Sequence, residues 1–521
     1  MKKRGKVLFS LIIVTFILIL IGSYMNNYNL EIQPPSETWS KEVSLGTALG
    51  KNAPVILKEE SKIIIAYAND NKLNLCETDL HGKVSRTKEY DLTEDLVCKV
   101  LLTKSSAGYI LMYNSVDGGE GYLENIILDK DLNEIKRETI RGPEVACQLD
   151  NNNLVVSYDD RIEIINTLES KSISLPAEKV NMISASTTKD GFLICYMEDD
   201  SLFKSFTFNE GIASEPILVQ TIAKNSKINY KGMATSSDDE NGYIMFEQHI
   251  KGEFHSCRLI EFPIAGGEAK ENKPYINNSN YLINCVGAYS EKDGGKFYVN
   301  FDNVYGKKES RRGIAELIIK DGKINEIEPV TRTRGVCINP YVNEDYISYL
   351  SFNEKDIYDV VIASTREDFK SINNLPRNSE KVSAFFYTIQ GIMYSFVYII
   401  IVGFAWIAVG LVLSGIVTFL DYKFPVEQKK LMYIAVAAIT TCAKIFVIIK
   451  MFYGTYAYML PQIIAPIYIG VIICILISII VYSYGYYLYA REFECVFIAK
   501  FSLSLLIDAL LTLMVYVPLT I

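Results

Sequence analysis

Long apolar runs bracket a polar middle in this chain, and a water-soluble core has no use for so many. One run, Val7–Ile21, lies near the start, and four more cover roughly 394–419, 431–451, 462–485 and 498–519. Each of the last four is long enough to cross a hydrocarbon core of about 30 Å as a helix rising about 1.5 Å per residue. Lys2, Lys3, Arg4 and Lys6 precede the first run, the layout of a signal peptide or a short signal anchor. Ile21-Gly22-Ser23 is a weak cleavage site, so an uncleaved N-terminal anchor over 1–24 is expected.

Charge assigns the sides. The loop Asp421–Lys430 carries Lys423, Lys429 and Lys430, and the loop after the third C-terminal run carries Arg491 and Lys500. Met451–Gln462 carries no charge at all. The positive-inside rule makes the first two loops cytoplasmic and the last external. Residues 25–385 are then extracytoplasmic, as the N-terminal signal also implies. The expectation is a multi-pass protein of the cell membrane with short cytoplasmic loops. It comprises an anchor (1–24), a linker (25–50), an ectodomain (51–378) and a four-helix transmembrane domain (379–521). Tyr453, Tyr456 and Tyr458 on one side, and Tyr482, Tyr484, Tyr486, Tyr487 and Tyr489 on the other, read as interfacial belts.

Residues 25–385 hold 41 basic and 56 acidic side chains, a net charge of −15. Such a field repels polyanions, so nucleic acid is not an expected partner. Seven of the ten cysteines fall here: Cys76, Cys98, Cys147, Cys195, Cys257, Cys285 and Cys337. They are odd in number, widely spaced and set in apolar strand patterns, which suits small buried hydrophobes better than a disulfide framework.

The same segment repeats. Short strands recur at Ile63–Tyr67, Tyr109–Tyr113, Leu154–Tyr158, Phe192–Tyr196, Tyr243–Glu247, Phe297–Phe301 and Tyr346–Leu350, with successive ends 38 to 54 residues apart. Glycine-bearing turns such as Asp190-Gly191, Asn241-Gly242 and Gly294-Gly295 precede them. Polar hairpin turns such as Asp79–Gly82, Asp129–Asn133 and Lys320-Asp321-Gly322 follow. Each unit reads as a four-stranded meander, which buries both faces only when stacked on its neighbours.

This pattern resembles a β-propeller ectodomain, of no identifiable subfamily, on a polytopic bacterial membrane protein. The resemblance covers about residues 50–375; no WD dipeptide or kelch Gly-Gly series occurs. It implies a mainly β fold, a seven-bladed β-propeller with units 52–93, 95–140, 144–180, 181–227, 228–280, 281–332 and 333–375, joined to an α-helical transmembrane bundle. Six or eight blades are the alternatives. A strand near Glu42–Leu45 is expected to close the ring on the last blade.

Catalytic signals are scarce. The three histidines are His81, His249 and His255; the last two flank a turn at Lys251-Gly252 and so face each other across a hairpin, without a third ligand. H-E-x-x-H, G-x-S-x-G and P-loop patterns do not occur. Asp129-x-Asp131-x-Asn133 opens like a calcium loop but puts Glu134 and Ile140 where Gly and Glu belong. Asp238-Asp239-Glu240 reads as a solvated loop. No catalytic residue, metal ligand or cofactor is expected. The site to weigh is an intramembrane charge pair, Lys444 and Asp508, each near the middle of its run, where ionisable groups are costly unless paired. Gly403, Gly410 and Ser414 share one helix face and permit close packing.

The leading expectation is a membrane-anchored binding, sensing or scaffold protein. Its propeller would take a protein, peptide or glycan ligand, and its helices would meet the lipid bilayer and a membrane protein partner. The alternative is a transport or envelope-assembly component whose bundle is the active part. A third, weaker reading is an extracytoplasmic enzyme.

Overall fold

The computed structural model describes residues 2–519 apart from 50–51, 70, 93–98, 118–119, 277–278, 306–308, 333–335, 355–356, 421–424, 458–459, 462 and 492–496. Cys98, Lys423 and Tyr458 therefore lie outside the described residues. The chain forms two compact units, a helical one made chiefly of 1–33 and 375–521 and a β one within 34–374.

The β unit is a seven-bladed propeller. Six sheets run in simple order along the chain over 55–91, 99–141, 145–176, 180–221, 228–272 and 282–329. The seventh joins three late strands, Cys337–Asn343, Tyr346–Glu354 and Ile357–Ser364, to an early one, Val43–Ala48. That early strand pairs antiparallel with the last, Val43 opposite Ile362 and Ala48 opposite Tyr358. The ring is thus closed by chain from both ends, as expected. Across the closure Asn343 Nδ2 donates to the Ile56 carbonyl at 3.0 Å. The fourth sheet has a fifth strand, because both Ile212–Ala213 and Ile217–Thr221 pair with Leu202–Asn209.

Burial explains the sequence pattern. A blade is covered on both faces by its neighbours, so its inner strands are continuous apolar runs; Ile63, Ile64, Ile65 and Ala66 are all fully buried. Each such isoleucine contributes roughly 1.5–3 kcal/mol of burial. The rim strand Val84–Asp91 is mostly exposed and correspondingly polar. The polar segment after Pro34-Pro35 is no free tether. Trp39, Ser40 and Lys41 are fully buried, with Trp39 edge-on to Tyr298 at 5.9 Å and its Nε1 donating to Glu316 at 3.2 Å.

Helix α1 (Lys2–Ile32) continues well past Ser23. Helix α2 (Glu367–Asn373) belongs to the β unit, where Phe369 packs edge-on to Tyr346. In the helical unit follow α3 (Asn378–Tyr398), a π-helical turn at Ile399–Gly403, α4 (Phe404–Leu420), α5 (Val426–Ile448), a second π-turn at Ile449–Tyr453, α6 (Ile467–Arg491) and α7 (Phe497–Tyr516). Five helical stretches among the described residues are long and apolar enough to span a membrane: 4–32, 378–420, 428–453, 467–491 and 497–519. α1 packs on α3, where Asn27 Nδ2 donates to Thr388 Oγ1 at 3.0 Å, and on α6, where Phe9 meets Tyr484 at 5.8 Å. Gly403, Gly410 and Ser414 are buried together on the α3–α4 stretch.

Two of the tyrosines read as a belt, Tyr482 and Tyr489, turn inward instead. Tyr482 and Tyr489 are buried in the aromatic core with Tyr433, Phe497 and Phe501, and Tyr453 donates to the Ile464 carbonyl at 2.7 Å. Bulky rings fill space between helices better than short aliphatic side chains, so helix packing claims these positions.

Candidate binding channel and buried ion pair

The first strand of each blade faces the propeller axis. Together these strands line a channel of about 1040 Å³ to which all seven blades contribute. Its wall is rich in carboxamides. Asn284 Nδ2 donates to Asn339 Oδ1 at 2.8 Å, and Asn151 Nδ2 donates to the Lys58 carbonyl at 2.8 Å. Lys99 Nζ donates to the Ala146 carbonyl at 3.0 Å, and Lys296 Nζ sits 3.0 Å from Glu316 Oε1. Gln148 Nε2 and Asn152 Oδ1 make no hydrogen bond among the described residues. Asp150, Glu291 and Glu344 offset the lysines, so the channel presents neutral amides and mixed charge rather than a field of one sign.

Three adjacent blades share a device that shapes this wall. Gly232, Asn284 and Asn339 each occupy the left-handed region (φ 59°, 50° and 54°) at a bulge in the first strand of blades five, six and seven. Glycine and asparagine are the residues that tolerate this conformation. Glu247 Oε1 accepts from the Asn284 N–H at 2.9 Å, and Asn300 Oδ1 accepts from the Asn339 N–H at 3.0 Å. A polar side chain on the second strand of one blade thus holds the bulge of the next.

Other residues singled out in the sequence are structural. His249 bonds Glu247 Oε2 at 2.9 Å, whereas His255 is exposed; a bulge between Gln248 and His249 sets Phe254, not His255, opposite His249. The two histidines therefore do not face each other. Asp129 Oδ1 accepts from the N–H groups of Asp131 and Asn133 at 2.8 and 2.7 Å, closing a turn. Asp238 is buried rather than solvated. It accepts from the Glu240 and Asn241 N–H groups, from Tyr243 Oη at 2.7 Å and from the Gly294 N–H at 3.0 Å, joining blades five and six. Burial raises the proton affinity of Asp238, but these donors outweigh it and hold the carboxyl below its ordinary value. Burial pushes the thiols of Cys76 to about 11 and of Cys195 and Cys337 to about 12, so they stay protonated and inert. No cluster of metal-ligating side chains occurs among the described residues.

In the helical unit Lys444 on α5 and Asp508 on α7 meet. Nζ lies 2.8 Å from Asp508 Oδ1, and neither side chain has exposed surface. The sequence pointed to these two. It did not reveal α6, whose Cys474 carbonyl and Ser478 Oγ accept from Nζ at 3.0 and 2.6 Å, nor Thr512 Oγ1 at 3.2 Å. Ser478 also donates to Asp508 Oδ1 at 2.9 Å.

No protein-family model matches this sequence, and a search of curated proteins finds no match. Among solved structures the chain is similar to the N-terminal domain of Nup159, at 12% identity and TM-score 0.37 over 64% of this chain and 97% of that one. It is also similar to a prolyl endopeptidase, at 11% identity and TM-score 0.38 over 66% of this chain and 48% of that one. A third is the polysaccharide lyase Uly1, at 9% identity and TM-score 0.39 over 61% and 91%. Likeness at this level adds nothing to the sheet order above, which itself establishes the propeller.

Proposed function

We propose that this protein is a membrane-held binding or scaffold protein whose propeller captures a ligand outside the cell membrane. The observation that carries the reading is the channel: a rigid ring presents a cavity of about 1040 Å³ walled by amides and mixed charges. Preformed concave sites with a few convergent polar groups are the usual form of a binding site. The five helical stretches long and apolar enough to span a membrane support an anchor, and the lysines and arginine of the two basic loops support a cytoplasmic side for those loops under the positive-inside rule.

The test is site-specific photo-crosslinking of the full chain in intact membranes. A crosslinker at Lys99 or Asn284, both on the channel wall, is expected to trap an adduct. One at Ile135, exposed on the rim of the second blade, is expected not to. Equal adducts from all three positions, or none from the channel, would reject the reading.

A further inference from the structure

We propose that a groove on the side of the propeller, between blades four and five, docks an extended segment of a partner protein in which lysine or arginine stands among apolar side chains. The groove has a volume of about 880 Å³ and shares no lining residue with the channel, so this inference stands apart from the role given to the channel. It opens where the outer edge of blade four is broken. Ile212–Ala213 and Ile217–Thr221 both pair with the third strand, and Ser214-Glu215-Pro216 between them leaves the ladder. Pro216 has no N–H to give to a ladder. Ser214 makes the last contacts before the break: its N–H donates to the Thr207 carbonyl at 2.9 Å, and its Oγ accepts from the Thr207 N–H at 3.0 Å. The facing wall comes from two turns of blade five, 239–241 and 263–265, tied together by the Ile264 N–H donating to the Glu240 carbonyl at 2.9 Å.

Charge and apolar surface together name the occupant. Leu193, Phe206, Ile217 and Ile264 give the groove an apolar lining. Glu215, Asp239 and Glu240 stand along it, all exposed, and no lysine or arginine lines it among the described residues. None of these three carboxylates forms a salt bridge among the described residues. Other carboxylates of blades five and six are paired, as in Arg258–Glu271, Lys292–Glu326 and Lys320–Asp293. Tyr289 Oη holds Asp239 in place by donating to Oδ1 at 2.5 Å. Behind them lies the buried Asp238 carboxyl with its four donors, a further negative charge. A single exposed carboxylate contributes little to binding. Burial of apolar side chains supplies the affinity, and the unpaired negative charge decides which sequence is accepted. The net −15 of residues 25–385 turns away acidic segments at longer range.

Selection of random displayed peptides on the full chain in lipid nanodiscs tests it, with the enriched peptides then synthesised and titrated by fluorescence anisotropy. Enriched sequences are expected to carry lysine or arginine among leucine, isoleucine, valine or phenylalanine. The triple change Glu215→Gln, Asp239→Asn and Glu240→Gln, confined to exposed side chains, is expected to weaken their binding about tenfold. Ala265→Trp, at an exposed position on the groove wall, is expected to abolish binding by filling the space. Spermidine, which brings charge without apolar side chains, is expected to displace the peptides far less well than unlabelled peptide does; equal displacement would overturn the assignment to a protein segment. No enrichment, enrichment of acidic or uncharged sequences, equal binding to the wild type and the triple variant, or binding that survives Ala265→Trp would overturn the proposal.

Discussion

Glu247 on the second strand of blade five holds the backbone N–H of Asn284 on the first strand of blade six at 2.9 Å, at the point where that strand turns left-handed. Asn300 repeats the contact to Asn339 one blade further on and also donates to the Cys337 carbonyl at 2.6 Å. Glu247→Ala is expected to cost about 1.5–3 kcal/mol, the range for a hydrogen bond to a charged group. Asn300→Ala, at a fully buried position, should cost a similar amount. Denaturant unfolding of the full chain measures both.

Blades five and six also approach too closely for a side chain at Gly287. A Cβ there would sit 1.8 Å from the Thr235 carbonyl oxygen, and backbone cannot step aside as a flexible side chain can. Gly287→Ala should therefore lower stability by at least the roughly 1–3 kcal/mol of core overpacking. Gly415→Ala, which meets nothing within 4 Å, is the control and should not destabilise. Thermal melts compare the two.

Acid should act on the joint at Asp238. Its folded-state proton affinity is held below the ordinary carboxylate value of about 3.9. Its contribution is then complete above that value and is lost as pH falls through the lower, folded one. Asp238→Asn should be less stable than the wild type at neutral pH, with the gap narrowing on acidification. Unfolding midpoints of both across pH check this; a gap independent of pH would refute it.

Lys444→Met should be the most damaging single change in the helical unit, by about 3–5 kcal/mol, because it strips a buried carboxylate of its counter-charge. Adding Asp508→Leu should restore part of the loss, since an apolar pair has no charge to strand. A double-mutant cycle on the full chain measures the coupling.

Much of the propeller was legible because burial on both faces of a blade leaves a plain mark. Runs such as Ile63-Ile64-Ile65 and Tyr243-Ile244-Met245-Phe246 name the second strand of each blade without help from tertiary structure. The closing strand was foreseeable because a ring brings residues near Val43 beside Ile362. The bulges at Asn284 and Asn339 were not foreseeable. An isolated asparagine marks a left-handed residue only when the next blade supplies a partner such as Glu247 or Asn300. Spacing picked out Lys444 and Asp508, because charges in apolar runs are conspicuous. Ser478 and Thr512 were silent, since hydroxyls occur in such helices for many reasons. Tyr482 and Tyr489 misled, because composition alone cannot tell a ring at an interface from one packed between helices.

The placement of the propeller outside the membrane is the claim on which the account rests. Ile212, 74% exposed on blade four, is a suitable position for a reporter. Ile212→Cys is made in a Cys442→Ser background, because Cys442 is the exposed thiol among the described cysteines. Intact cells are then treated with a membrane-impermeant maleimide, with the background chain as reference. The account predicts that Cys introduced at 212 is labelled as fully in intact cells as after lysis; labelling that appears only after lysis would contradict it.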